Sequence, residues 1–151
     1  MSPAKPASNQ AKKSAPVILV EDSLFDSVLA QRAYERSSRE NPLVVLSSGS
    51  DLMHYLDSVK NGENPKPELV FLDIHLEGED GLETLRKIRS QPAFRSEPAI
   101  VMLTNSDEPE DRARAARHGA DGYQVKPPSP ADMVDFFNAV PRTAPRPENA
   151  N

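Results

Sequence analysis

Apolar residues fall into short continuous runs, separated by longer stretches in which they recur every three or four positions. The runs are VILVE (17–21), LVVLS (43–47), ELVFLDI (68–74), AIVMLT (99–104) and the shorter DGYQV (121–125). Continuous runs of this length predict strands buried on both faces, since a strand wet on one side alternates. The intervening stretches predict helices. Phe25, Val28, Leu29 and Arg32 share one face, the arginine through its aliphatic stem. Leu52, Leu56 and Val59 share another, as do Leu82, Leu85 and Ile88, and then Met133, Phe136, Phe137 and Val140. Ser129 followed by Pro130 is a helix start, a cap with proline in the first helical position. Residues 110–118 predict a helix with only alanines for apolar cover, which should be thinly packed. Strands alternating with helices predict an α/β fold with a parallel sheet and right-handed crossovers. In such a sheet, ligands and chemistry gather at the carboxyl ends of the strands.

Composition narrows the picture. The chain has 151 residues, about one domain, and no cysteine. It can form no disulfide and use no thiolate, which fits a reducing compartment such as the cytoplasm. Eighteen Lys and Arg against 23 Asp and Glu leave a net charge of −5, which lacks the basic footprint of a nucleic-acid binder. No apolar run reaches the roughly 18 residues of a membrane span, and the amino terminus lacks the apolar stretch of a secretory signal. The 15 prolines are concentrated partly at the ends. Residues 1–16 and 141–151, rich in Pro, Ala and Ser and without apolar periodicity, are expected to be disordered tails around one domain at 17–140.

The strand ends carry the chemistry. Glu21 and Asp22 follow the first strand, Asp73 ends the third, Thr104 ends the fourth and Lys126 follows the fifth. Crowded carboxylates repel each other unless a cation joins them. Oxygen donors of this kind suit a hard divalent ion, and Mg2+ commonly takes one or two carboxylates together with waters and a phosphate oxygen. With Lys126 and a hydroxyl beside it, such a site is suited to hold a phosphoryl group, and a covalent phosphoryl would sit on a carboxylate. The three histidines, His54, His75 and His118, are scattered and predict no metal cluster.

These residues resemble the receiver domain of bacterial two-component response regulators. The resemblance covers about 17–140 and rests on VILVED, LVFLDIHLEGEDG, VMLTNSD and GADGYQVKP, in that order and with matching spacings. The segments HYLDSVKNGENPKPELVFLDIHL and LTNSDEPED are also similar to the small single-domain regulators paired with bacterial phytochromes. The resemblance implies a flavodoxin-like, doubly wound fold with a five-stranded parallel sheet in the order 2-1-3-4-5. It implies that Asp73 is the phosphoacceptor, that Asp22 holds Mg2+ directly and Glu21 through water, and that the carbonyl of His75 is a further metal ligand. Thr104 and Lys126 would contact the phosphoryl group, and Tyr123 would switch rotamer with Thr104. The bond between Lys126 and Pro127 would be cis. His75 and Ser106 would flank the water that removes the phosphoryl group.

Position 21 is Glu, one methylene longer than aspartate, and Asn105 is bulkier than the usual small residue after the threonine. Two alternatives stand beside this reading. A haloacid-dehalogenase-type phosphatase would carry a carboxylate two residues after its nucleophile, where this chain has His75. An unphosphorylated pseudo-receiver would have lost an acidic or lysine position, and none is lost here. The expected role is therefore a non-enzymatic phosphoacceptor serving a sensor histidine kinase, with self-dephosphorylation. Only eleven residues follow Val140, so the signal is expected to pass by association with a partner or with itself. The four apolar residues of the last helix look wider than one sheet face needs, which predicts exposed apolar surface and a two-fold homodimer.

Overall fold

A computed structural model describes residues 15–140. In chain order the elements are β1 (Val17–Val20), α1 (Leu24–Arg36), β2 (Leu43–Leu46), α2 (Gly49–Lys60), β3 (Leu69–Leu72), β4 (His75–Leu76), β5 (Glu79–Asp80), α3 (Gly81–Arg89), β6 (Ala99–Thr104), α4 (Pro109–Arg117), β7 (Gly122–Val125) and α5 (Pro130–Ala139). The central sheet is parallel, in the order β2-β1-β3-β6-β7. This is the expected 2-1-3-4-5 order with one addition, a small antiparallel hairpin of β4 and β5 after the third strand. Strands of two residues leave no periodicity in a sequence, so the pattern does not predict them.

Alternate strand residues point to opposite faces, and each face has its own core. Ile18, Val20, Val70, Leu72, Ile100 and Met102 face one way, against Leu52 and Leu56 of α2 and Leu82, Leu85 and Ile88 of α3. Val17, Leu19, Leu69, Phe71, Val101 and Leu103 face the other way, against α1 and α5. Each such side chain contributes about 1.5–3 kcal/mol when fully buried. β1, β3 and β6 are buried throughout, whereas the edge strands β2 and β7 are half-buried.

One expected helix face is corrected. α1 buries Ser27, Ala30, Ala33 and Tyr34, not the face carrying Phe25, Leu29 and Arg32. Leu24 and Phe25 are 78% and 72% exposed. Small side chains let this helix lie close to the sheet, and the ring of Tyr34 supplies the bulk, its hydroxyl donating to the carbonyl of Asn41 at 2.8 Å. On α5, Phe137 is buried against Tyr34 and Phe71, and Met133, Phe136 and Val140 pack on the same core. Phe137 is thus fully buried while Met133, Phe136 and Val140 keep part of their surface accessible; among the described residues the large apolar side chains that are mostly exposed are on α1. α4 is thin as predicted, burying only Ala115.

The stretches 1–14 and 141–151 of the two expected tails lie outside the described residues. Ala15 and Pro16 are described and tied to the sheet. The carbonyl of Ala15 accepts from Asn41 Nδ2 at 2.8 Å, and that of Pro16 accepts from the Glu68 amide at 2.9 Å. The bond between Lys126 and Pro127 is not cis; a cis bond precedes Pro98 instead. Among the described residues no helix is long and apolar enough to cross a membrane.

Candidate functional site

The register of the sheet sets the site. Val20 pairs with Leu72 across β1 and β3, so Glu21 and Asp73 leave neighbouring strands side by side. Thr104 pairs with Val125 across β6 and β7, and the Lys126 amide donates to the Thr104 carbonyl at 2.7 Å. Lys126 therefore enters the same edge from the other flank. Gly81 closes the loop after β3, its amide donating to the carbonyl of Ile74 at 2.7 Å. A Cβ at Gly81 would overlap the carbonyl of Asp73, so the turn that presents Asp73 requires a glycine there.

Glu21, Asp73 and Thr104 are buried. Lys126 Nζ lies 3.0 Å from Asp73 Oδ2 and 2.6 Å from Glu21 Oε1. It also lies 3.0 Å from Asp26 Oδ2, a partner the sequence reading did not single out. Asp26 sits in the first turn of α1. A carboxylate there favours the helix dipole in any protein, so its sequence position alone carried no signal of a second role. Glu21 Oε2 accepts from the amide of Ser23 at 3.0 Å, and Asp73 Oδ1 accepts from that of His75 at 3.3 Å. Burial pushes the Glu21 carboxyl up, and the hydrogen bonds from Lys126 and Ser23 offset this only in part. Burial alone would lower the Lys126 ammonium. Its hydrogen bond to Glu21 and the field of Asp73 more than reverse that, so it stays charged well above the usual lysine range.

Asp22 stands apart from this cluster. It is exposed, and its Oδ2 accepts from the amide of Glu77 at 2.6 Å. Among the described residues no three His, Cys, Asp or Glu side chains stand together as a metal nest. Lys126 pairs with Glu21, and Asp22 is engaged by the Glu77 amide. The donor chemistry nevertheless fits a hard divalent cation: Glu21, Asp22 and Asp73 offer carboxylates at one sheet edge, and His75 offers a carbonyl.

Thr104 and Tyr123 meet through one loop. Thr104 Oγ1 accepts from the Ser106 amide at 3.3 Å, and Tyr123 donates its hydroxyl proton to the Ser106 carbonyl at 3.0 Å. Ser106 Oγ donates to Asp111 at 2.6 Å, and Arg112 stacks over the Tyr123 ring at 4.6 Å. The hydroxyl of Thr104, the loop after β6 and the ring of Tyr123 therefore form one connected unit. Beside Lys126 opens a cleft of about 300 Å³, lined by Asp26, Leu29, Asn105, Pro127 and Pro128 among others.

Two buried carboxylates, Glu21 and Asp73, and the half-buried Asp26 thus share one lysine, with the Thr104 hydroxyl on a neighbouring strand. The model of the response regulator receiver domain matches residues 17–138. The chain is 33% identical over 102 residues to response regulator Rcp1 of Synechocystis sp., an alignment covering 67% of this chain and 69% of Rcp1. The crystal structure of the Mn2+-bound form of Rcp1 superposes with a TM-score of 0.71 at 28% identity, over 83% of this chain and 91% of that one. The phosphorylated cyanobacterial phytochrome response regulator RcpA superposes with a TM-score of 0.72 at 26% identity, over 84% and 91%. With its family match over most of the chain, its sheet order and these likenesses in agreement, the chain belongs to the response regulator receiver domain family.

Proposed function

We propose that this chain accepts a phosphoryl group from a sensor histidine kinase on Asp73, with Mg2+, and signals by a change in association. The observation that carries the reading is the contact of Lys126 Nζ with Asp73 Oδ2 at 3.0 Å, at the edge where Glu21 and Thr104 also stand. Transfer is in-line: an Asp73 oxygen bonds to phosphorus as the phosphorus–nitrogen bond of phosphohistidine breaks, and the imidazole leaves with the electron pair. Glu21, Asp22, Asp73 and the carbonyl of His75 would hold Mg2+, which when bound neutralises charge on the transferring group. Lys126 supplies a second fixed positive charge. The new group carries a charge of about −1.5 to −2. It draws Thr104 Oγ1 to donate toward it, which loosens the tie to Ser106 and, through the Ser106 carbonyl, the seat of Tyr123. Two arrangements of the loop after β6, with the thinly packed α4 beyond it, then exchange population.

A phytochrome-type kinase is the partner favoured by the likeness to RcpA, whose name carries that link. Self-dephosphorylation past His75 and Ser106, a cytoplasmic location and a two-fold homodimer complete the proposal. The homodimer would use the surface of the last two sheet strands, β6 and β7, and their helices α4 and α5, where Met133, Phe136 and Val140 are only partly buried. Incubation with acetyl phosphate and Mg2+, followed by intact mass, tests the reading. The parent should gain one phosphoryl mass, and EDTA or Asp73→Asn should abolish the gain. Equal labelling of the Asn variant would remove Asp73 from the mechanism.

A further inference from the structure

We propose that Asp26 is a positioning residue that holds Lys126 in the resting state and competes with a phosphoryl group on Asp73 for it. The inference rests on Asp73 being the phosphoacceptor. A lysine ammonium has three N–H donors. Here all three have carboxylate partners: Glu21 Oε1 at 2.6 Å, Asp26 Oδ2 at 3.0 Å and Asp73 Oδ2 at 3.0 Å. Glu21 and Asp73 reach Lys126 from the strand ends. Asp26 reaches it from α1, and its placement is fixed independently of the lysine. Its own amide donates to the capping hydroxyl of Ser23 at 3.2 Å, which sets the first turn of the helix. Among the three, Asp26 is the exposed member. Its side chain is 33% accessible, against 4% for Glu21 and 7% for Asp73.

Two consequences have the same sign. Lys126 has no spare donor, so a phosphoryl oxygen gains it only as another acceptor gives it up. Asp26 is also a fixed negative charge beside the lysine, and it repels an incoming anionic donor and the phosphoryl group once formed. Neither consequence depends on the cap, which uses the Asp26 backbone and not its carboxylate. Asp26 thus lowers both the rate and the extent of phosphorylation.

The test uses acetyl phosphate with Mg2+. An Asp73 oxygen bonds to phosphorus, the phosphorus–oxygen bond to the acetyl group breaks, and acetate leaves with the electron pair. Asp26→Asn keeps the shape and removes the charge. Its initial rate of labelling should rise about three- to ten-fold at low salt. The advantage should shrink at about 1 M salt, where the screening length falls to about 3 Å. Asp26→Glu should return the rate toward that of the parent, which a merely structural role for Asp26 does not predict. Unfolding curves of both variants would show that the fold is retained. An Asn variant labelled at or below the parent rate, or a gain indifferent to salt, overturns the inference while leaving Asp73 as the acceptor. A parent that takes no label removes the acceptor reading and this inference with it.

Discussion

Lys126 is the electrostatic centre of the site, because Glu21 and Asp73 are almost fully buried and it is the cation between them. Removing one partner of a buried ionic cluster costs about 3–5 kcal/mol, since the others keep their charge without compensation. Lys126→Met should therefore lower the unfolding free energy by about 3 kcal/mol at neutral pH. The Glu21 carboxyl lies above its ordinary value of 4.5 in the folded chain, so the folded chain holds that proton to a higher pH than the unfolded chain does. The stabilisation that comes with the proton is complete below about 4.5 and fades as pH climbs through the higher folded value. Without Lys126, Glu21 rises further, so the deficit of the variant should shrink from pH 7 to pH 5. Urea titrations at both values check this; an equal deficit at each would contradict it. Much of this site was legible at the residue scale. Glu21, Asp73, Thr104 and Lys126 each follow an apolar run, and parallel strands bring such residues to one edge. Asp26 was not legible, because an acid in a first helical turn is commonplace. Nor was the hydrogen bond to Asp22 from the amide of Glu77, 55 residues along the chain.

At the scale of elements, the pattern served where large apolar residues do the packing and misled where small ones do. α2 and α3 bury Leu52, Leu56, Leu82, Leu85 and Ile88, as their spacing requires. α1 packs through serine, alanine and Tyr34, so Leu24, Phe25 and Leu29 mark its wet side. α3 hides a further exception. Arg89 is buried, donating from Nε to the Gly119 carbonyl at 2.9 Å, from Nη1 to the Phe94 carbonyl at 3.1 Å and from Nη2 to Asp121 at 2.9 Å. Asp121 also accepts from the Ile100 amide at 2.8 Å. This network fastens α3 to the start of β6 and to the turn before β7, a link that periodicity cannot reveal in a charged residue. Arg89→Ala leaves Asp121 buried without its cation and should cost about 3–5 kcal/mol in a denaturant titration. A loss below about 1 kcal/mol would place the cohesion of these elements in their apolar contacts alone.

At the scale of the whole molecule, the described residues form a well-packed sheet with one thinly packed helix, α4. Both sheet faces are closed by helices, while α4 is held by Ala115 and by polar ties through Asp111, Arg112 and Arg114, the last paired with Asp80 at 3.1 Å. That region adjoins Thr104 and Tyr123, so a charge placed on Asp73 would act beside a thinly packed element. If association across β6, β7 and their helices carries the signal, sedimentation at micromolar concentration should show a dimer with acetyl phosphate. A monomer with and without the donor would rule out self-association in that range. The prior claim is that Asp73 carries the phosphoryl group. Reduction of the labelled chain with borohydride tests it most directly, because an aspartyl phosphate is converted to homoserine and the modified residue is then located by peptide mass. The account predicts homoserine at position 73, only after incubation with both acetyl phosphate and Mg2+; homoserine at another aspartate, or at none, would contradict it.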